Sequence, residues 1–419
     1  MKKQLLLLLC LLSITINYAQ TFNDGVLEYT VISGTDVSVK RYNNVCPTGI
    51  LDIPGTVIDN GTTYTITSIE YGAFEDCFEL TSVTIPNSVT GIEDLAFYSC
   101  SALTSINIPN SVISIGSYSF ESSGLTSVII PDSVITIGND AFFDCGDLTS
   151  ITLSNSLLSI ENSTFTDCGS LTSIIIPDSV TSIGNDVFSF CDSLTSIIIP
   201  DSVTSIGIDA FSDCSGLTSV TLSNSLTSIQ SNTFSDCSSL TDITIPNSVT
   251  SIGTSAFSNC SSLTSLTIPN SVMSIGDNTF AYCSGLTSVT VDWATPLVVP
   301  TGIFLNVPVE NIPLTVPDGT IDLYQTAEVW QDFGSFVLST EDFTKNNVNV
   351  TLFPNPVHNQ LNITINSELS LEKILIYNNL GQLLIESKKP TIDVSKLQGV
   401  HFVQIVTNKG TATKKIIVK

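Results

Sequence analysis

A phrase written ten times between Ile66 and Val291 constrains this chain more than any other feature. One copy reads Leu217-Thr-Ser-Val-Thr-Leu-Ser-Asn-Ser-Leu-Thr-Ser-Ile229-Gln-Ser-Asn-Thr-Phe234-Ser-Asp-Cys237-Ser-Ser, and Leu240 opens the next. Its phenylalanine recurs at 74, 97, 120, 142, 165, 188, 211, 234, 257 and 280, so every step is 23 residues except one of 22. A fixed period of this length predicts a solenoid, in which stacked coils share one interior. The short copy, Phe120-Glu-Ser-Ser-Gly-Leu125, lacks the cysteine and predicts a small local irregularity.

Within the copy from Leu240, the spacing of Leu240, Ile243 and Ile245 suits a short strand with its apolar side chains turned inward. Pro246-Asn247-Ser248 ends that strand, because Pro has no N–H and Asn and Ser favour turns. Val249 and Ile252 carry a second extended segment, and Gly253 permits a bend. Ala256, Phe257 and Cys260 are expected to close the coil in a short helical or 3₁₀ turn. One such coil buries too little to order itself, so stability requires stacked neighbours and capped ends.

The wording I-P-N-S-V-T-S-I-G-x-x-A-F-x-x-C-x-x-L-T-S resembles the BspA-type leucine-rich repeats of bacterial surface proteins, over residues 25 to 340. The expected fold is therefore mostly β: a leucine-rich-repeat solenoid of about ten 23-residue coils with end caps, then a small β-sandwich domain. Residues 20–65 read as the N-terminal cap and an irregular first coil carrying a hairpin at Asn60-Gly61. The solenoid proper spans 66–291, a C-terminal cap 292–340, and a polar linker 341–351. In the cap, Tyr324, Ala327, Trp330 and Phe333 fall at the spacing of a short helix. A longer period is also present: Leu-Ser-Asn-Ser-Leu occurs at 153–157 and 222–226, 69 residues apart, as if a three-coil block had been copied.

The net charge of −26 is unevenly placed. No Lys, Arg or His occurs between Tyr42 and Phe343, while the same stretch holds most of the 39 acids. Nucleic-acid binding is excluded there, because a phosphate backbone needs clustered cations. His-dependent triads are excluded for the same compositional reason. Residues 1–19 read as a signal peptide: Met1-Lys2-Lys3, an apolar run Leu5 to Ile16, and Asn17-Tyr18-Ala19 before the cut. That run is too short to span a bilayer, and no other stretch is apolar enough to do so.

Of the 11 cysteines, nine recur at one slot from Cys77 to Cys283. Stacked neighbours would point the same way, which suits disulfides poorly, so buried free thiols filling the turn are expected. No cofactor is expected. Carboxylates stacked at the turns, Asp144, Asp167, Asp213 and Asp236 before Cys and Asp132, Asp178 and Asp201 after Pro, could bind Ca²⁺ weakly.

The outward positions of the first strand form two rows. One is almost all Ser; the other contains the candidate binding face, Ile129, Thr152, Ile175, Ile198, Thr221, Thr244 and Thr267. This surface has no aromatic, no cation and no departure that would build a cleft, so no enzyme is expected.

From Leu352 the wording changes to alternating strands and nine of the last 75 residues are Lys. Residues 352–419 resemble the type A carboxyl-terminal sorting domain of the type IX secretion system. The marks are Pro354, Asn355 and Pro356, Tyr377 ahead of Gly381, Gly399, and Lys414-Lys415 in the final strand; His401 stands where such domains commonly have Tyr. The resemblances together imply an exported monomer, secreted or displayed at the outer cell surface, with the type IX machinery and an unknown protein or glycan as partners. Adhesion is the role they imply. A structural coat or spacer whose Ser/Thr face orders water, up to ice or mineral binding, is the alternative; a secreted hydrolase is a third.

Overall fold

A computed structural model describes residues 20–338, 350–365, 370–378, 382–408 and 410–419, with no account of the side chains of 410–413. The signal-peptide segment, most of the linker and Gly381 lie outside the described residues. The chain divides into two compact units, the second comprising Thr315–Tyr324 and Phe336–Lys419.

The first unit is the predicted solenoid. First strands of successive coils pair in parallel and in register, as at Ser127–Ile129 with Ser150–Thr152 and Ser196–Ile198 with Ser219–Thr221. Second strands are two residues long, as at Ser182–Ile183 and Ser205–Ile206. The repeated phenylalanines form a column inside, each fully buried, with neighbouring rings 5.3 Å apart from Phe74 to Phe97 and 5.5 Å from Phe257 to Phe280.

The third side of each coil is not helical. From Ala73 to Cys77, alternate N–H groups donate within the coil, to the carbonyls of Glu70, Gly72 and Phe74, and the ones between donate to Ala96 and Tyr98 of the next coil. A helix would need consecutive intracoil bonds. Left-handed residues also interrupt each turn, including Asp140 (φ 55°) and Asp144 (φ 53°) in one coil and Asp209 (φ 56°) and Asp213 (φ 59°) in another. Asp and Asn tolerate this conformation better than other residues with a Cβ. Many of the array's acids therefore sit where the backbone turn itself selects them.

The stack runs to about 12 turns. At the start, Asp36–Arg41 pairs in parallel with Thr62–Ile69, and Gly49–Asp52 with Leu80–Thr84. The hairpin Thr56–Asp59/Thr62–Thr65 turns at Asn60 and Gly61, both at positive φ. At the other end Phe304, 24 residues after Phe280, continues the ring column at 5.8 Å. The sequence pattern lost this coil because Pro296 and Pro300 replace the usual wording. Trp293, Phe304, Trp330 and Phe333 then close the apolar column, with Trp293 Nε1 donating to Val272 O and Trp330 Nε1 to Leu297 O. The expected helix through these aromatics is instead a four-residue helix at Ile321–Tyr324 and a separate 3₁₀ turn at Trp330–Asp332, because Val329 (φ 71°) breaks the run.

The copied block is visible in the pairing. Second strands form one sheet at 160, 183 and 206 and another at 229, 252 and 275, with no pairing from Ile137 to Ile160 or Ile206 to Ile229. Each break falls at a Leu-Ser-Asn-Ser-Leu coil. There Glu161 or Gln230 stands where Gly138, Gly207 or Gly253 stands elsewhere. A Cβ on Gly253 would lie 2.4 Å from Ser231 N, so close strand approach at that slot favours glycine. The first strand ends differently too. Ser154 and Ser223, replacing Pro, each donate to a carbonyl of the preceding coil, Val134 O at 2.6 Å and Val203 O at 2.7 Å.

One expectation about the cysteines is corrected. Cys77 is not a free thiol: it is bonded to Cys46, with Cα atoms 5.2 Å apart. The argument against disulfides holds between equivalent slots of stacked coils, and Cys46 belongs to the irregular segment before the array. Cys100, Cys145, Cys168, Cys191, Cys214, Cys237, Cys260 and Cys283 are free and buried. Each thiol donates to the carbonyl of the preceding coil's phenylalanine, from Cys100 to Phe74 O at 3.1 Å through Cys283 to Phe257 O at 3.1 Å. Burial pushes Cys100, Cys145 and Cys214 up to about 12, so these are packing groups rather than nucleophiles.

The second unit contains two antiparallel sheets. Val350–Phe353, Gln360–Ile365 and Thr391–Asp393 make one; Leu383–Ser387, Leu371–Asn378, Gly399–Thr407 and Gly410–Val418 make the other. Leu361, Ile363 and Ile392 from the first share a core with Ile374, Ile376, Val403, Ile405 and Ile416 from the second.

Candidate functional site: the outward face of the first strands

Side-chain alternation along each first strand puts one residue in the core and two outside. In Ser127–Ile129, Val128 is buried and its neighbours are exposed; the same holds at Ser150–Thr152, Ser196–Ile198 and Ser219–Thr221. Register then aligns equivalent residues of successive coils, with Ile129 opposite Thr152 and Ile198 opposite Thr221. Thr244 and Thr267 are likewise exposed. The seven residues singled out from sequence therefore all face outward. They do not converge on a point.

Three break the polar uniformity: Ile129 is 71% exposed, Ile175 84% and Ile198 69%. A second apolar row was not foreseen. Ile113, Ile135 and Leu158 occupy one slot in three successive coils and are exposed. The signal was available as the variable residue before Ser-Ile or Thr-Ile in the second strand.

The acids do not gather into a metal site: among the described residues no group of three or more His, Cys, Asp or Glu is placed to hold an ion. Glu121, in the short coil, has Asp140 and Asp144 as charged neighbours. Its partial burial, then the charges of Asp140 and Asp144, push it up to about 7. Asp167 and Asp186 are also raised, by burial first and neighbouring aspartates second.

The sorting-domain marks separate in sequence but meet in part in space. Asn355 lies between Pro354 and Pro356, both in cis peptide bonds. Its side-chain Nδ2 donates to Lys415 O at 3.0 Å and its Oδ1 accepts from Ile417 N at 2.9 Å. Val357 N donates to Ile417 O at 2.8 Å, and Lys419 N to Val357 O at 2.9 Å. The Pro-Asn-Pro segment thus satisfies the free edge of the last strand, which otherwise exposes unpaired backbone groups. Lys414 is half-buried and Lys415 exposed. Tyr377 lies elsewhere, its hydroxyl donating to Gln404 Oε1 at 3.2 Å, and Gly399 takes a positive φ of 88°. His401 is buried, with Nδ1 3.3 Å from Gly399 O.

A coiled repeat array with an extended outward face and a separate sandwich domain defines a class: a leucine-rich-repeat protein with an appended C-terminal module. The profile of the BspA type Leucine rich repeat region matches residues 67–194 and 181–306, more than half of the chain, which therefore belongs to that family. The profile of the Secretion system C-terminal sorting domain matches residues 351–419. That domain indicates secretion and cell-surface localisation. No curated protein matches the chain. Among solved structures, a leucine-rich repeat protein from Bacteroides ovatus is similar at 25% identity, over 76% of this chain and 100% of that one, with a TM-score of 0.42. The pneumococcal vaccine antigen PcpA is similar at 17% identity, over 77% and 99%, with a TM-score of 0.45. Among the described residues no helix is long and apolar enough to cross a membrane.

Proposed function

We propose that this exported repeat protein is non-enzymatic and acts by binding through the outward face of its first strands, in adhesion or another cell-surface interaction. The observation that carries this reading is the register: equivalent small side chains repeat from coil to coil along a solvated face without converging on a centre. Catalysis needs nucleophile, base and charge-stabilising groups within a few ångströms of one reacting atom. Binding over a repeated surface needs only extent and complementarity. The type IX sorting domain supports the location such a role requires.

The test immobilises the full chain and measures capture of purified matrix proteins and surface glycans, alongside hydrolysis assays on polysaccharide and peptide substrates. Saturable capture weakened by Thr221→Lys or Thr244→Lys is the expected result. Hydrolysis abolished by an acid-to-amide change would overturn it.

A further inference from the structure

The first-strand ladder breaks between Asn107 and Ser127, between Ser173 and Ser196, and between Ile243 and Ser265, and the second of these breaks is flanked by the exposed Ile175 and Ile198. Ser173 makes a single bridge back to Ser150, and no strand pairing joins Ser173–Ile176 to Ser196–Ile198. A groove of about 380 Å³ opens there, its lining including the buried Ile174, Ile176 and Ile197 and the half-buried Pro200. Ile175 and Ile198, the first 84% and the second 69% exposed, stand over it. The neighbouring coils carry Thr152 and Thr221 at the same slot, so the apolar patch is confined to two coils.

We infer that this groove binds an extended cationic peptide segment: an apolar side chain enters between Ile175 and Ile198, and flanking Lys or Arg reach Asp178 and Asp201. The assignment rests on the reading of this face as a binding surface and names the partner's chemistry. Charge complementarity selects the occupant. Asp178 lines the groove and Asp201 follows the lining Pro200; both are exposed, Asp201 Oδ1 accepts from Asn224 N and Nδ2, and no cation lies anywhere from Tyr42 to Phe343 to neutralise either charge. A second array would bring like charge, and an anionic lipid surface would be repelled for the same reason. A sugar would find no aromatic platform, since every lining residue is Ser, Ile, Asp or Pro. A peptide strand can supply apolar and cationic side chains together.

The experiment measures binding of three fluorescent eight-residue peptides to the full chain by anisotropy: alternating Lys-Val, Lys-Ser and Glu-Val. Lys-Val should bind at least about tenfold tighter than either other peptide, a difference one buried aliphatic group supplies. Ile175→Ser with Ile198→Ser should remove about tenfold, whereas Ile129→Ser should not. Asp178→Asn with Asp201→Asn should weaken binding about threefold and flatten its salt dependence. Equal binding of Lys-Val and Lys-Ser, indifferent to the isoleucines, would mean adsorption to a diffuse acidic surface and would overturn the groove. Self-association lost in the double isoleucine variant would make a second copy the occupant and also overturn it. Capture of a glycan or neutral protein that the Thr221 variant impairs, with no Lys-Val binding, would sink this inference and leave the wider binding role standing.

Discussion

In the array, a phenylalanine ring packs on the equivalent ring one coil away, from Phe74 through to Phe304. In the C-terminal domain, Ile363 or Ile405 packs once, against a facing sheet. The array holds no cation between Tyr42 and Phe343, while the tail is rich in lysine. The contrast shows two ways of distributing stability. A repeated column shares it among neighbours, whereas a sandwich concentrates it in a few residues. It also separates roles: the array offers extent, and the tail offers one compact face with its last edge sealed by Asn355.

The strongest test of that contrast deletes one ring. Phe165→Ala removes a fully buried side chain that touches rings on both sides. It should cost about 3–5 kcal/mol. Ile376→Ala, in the tail core, should cost about 2–5 kcal/mol and act on the tail alone. Both tryptophans, Trp293 and Trp330, lie at the end of the solenoid, so their fluorescence reports the array while far-ultraviolet circular dichroism reports both units. A denaturant midpoint for tryptophan that moves with Ile376→Ala would break the comparison.

Next in size is the disulfide at the array's N-terminal end. Cys46→Ser with Cys77→Ser releases a cross-link spanning 31 residues and should lower array stability by about 2–4 kcal/mol. The tail contains no cysteine, so reductant should leave its transition in place. Reductant that fails to shift the array transition would show that the first coil is held by its strands alone.

The solenoid and its outward face were legible because the period forces equivalent residues into register, and register fixes which side chains face out. What escaped was whatever broke the period. Cys46 sits in an irregular segment where spacing says nothing about proximity. Phe304 is displaced by prolines, and the interrupted ladder at Ser173–Ile176 depends on backbone pairing that an unbroken Ile-Ile-Ile-Pro wording conceals. The meaning of the turn acids was half legible. Their count gave the charge, but only the dihedrals reveal that Asp213 is a backbone choice. That reading predicts Asp213→Val to cost about 1–2 kcal/mol, as a branched side chain enters the left-handed region, while Asp213→Gly should be nearly neutral. Equal losses for the two would assign the aspartate's value to its carboxylate.

The smallest effect is the pH dependence, and the carboxylates of the two regions should act in different pH windows. Glu121 is pushed up to about 7 by partial burial and by Asp140 and Asp144. A carboxyl raised in the folded state binds its proton more tightly there than in the unfolded chain. Its contribution is fully present below the unfolded value, near 4.5, and is lost as pH rises through about 7. Asp167 and Asp186 act in the same direction. In the tail, Asp393 is lowered by its hydrogen bonds to Ser395, so its contribution is present above its usual value and disappears as pH falls. Acidifying from pH 7.5 to 5 should therefore raise the array's melting temperature by about 1–2 °C, with Glu121→Gln removing part of the gain. Asp393 should contribute no change over that interval, because it stays ionised throughout it. An array midpoint that falls on acidification, or that rises equally in Glu121→Gln, would show that the carboxylate rows are too well solvated to oppose one another.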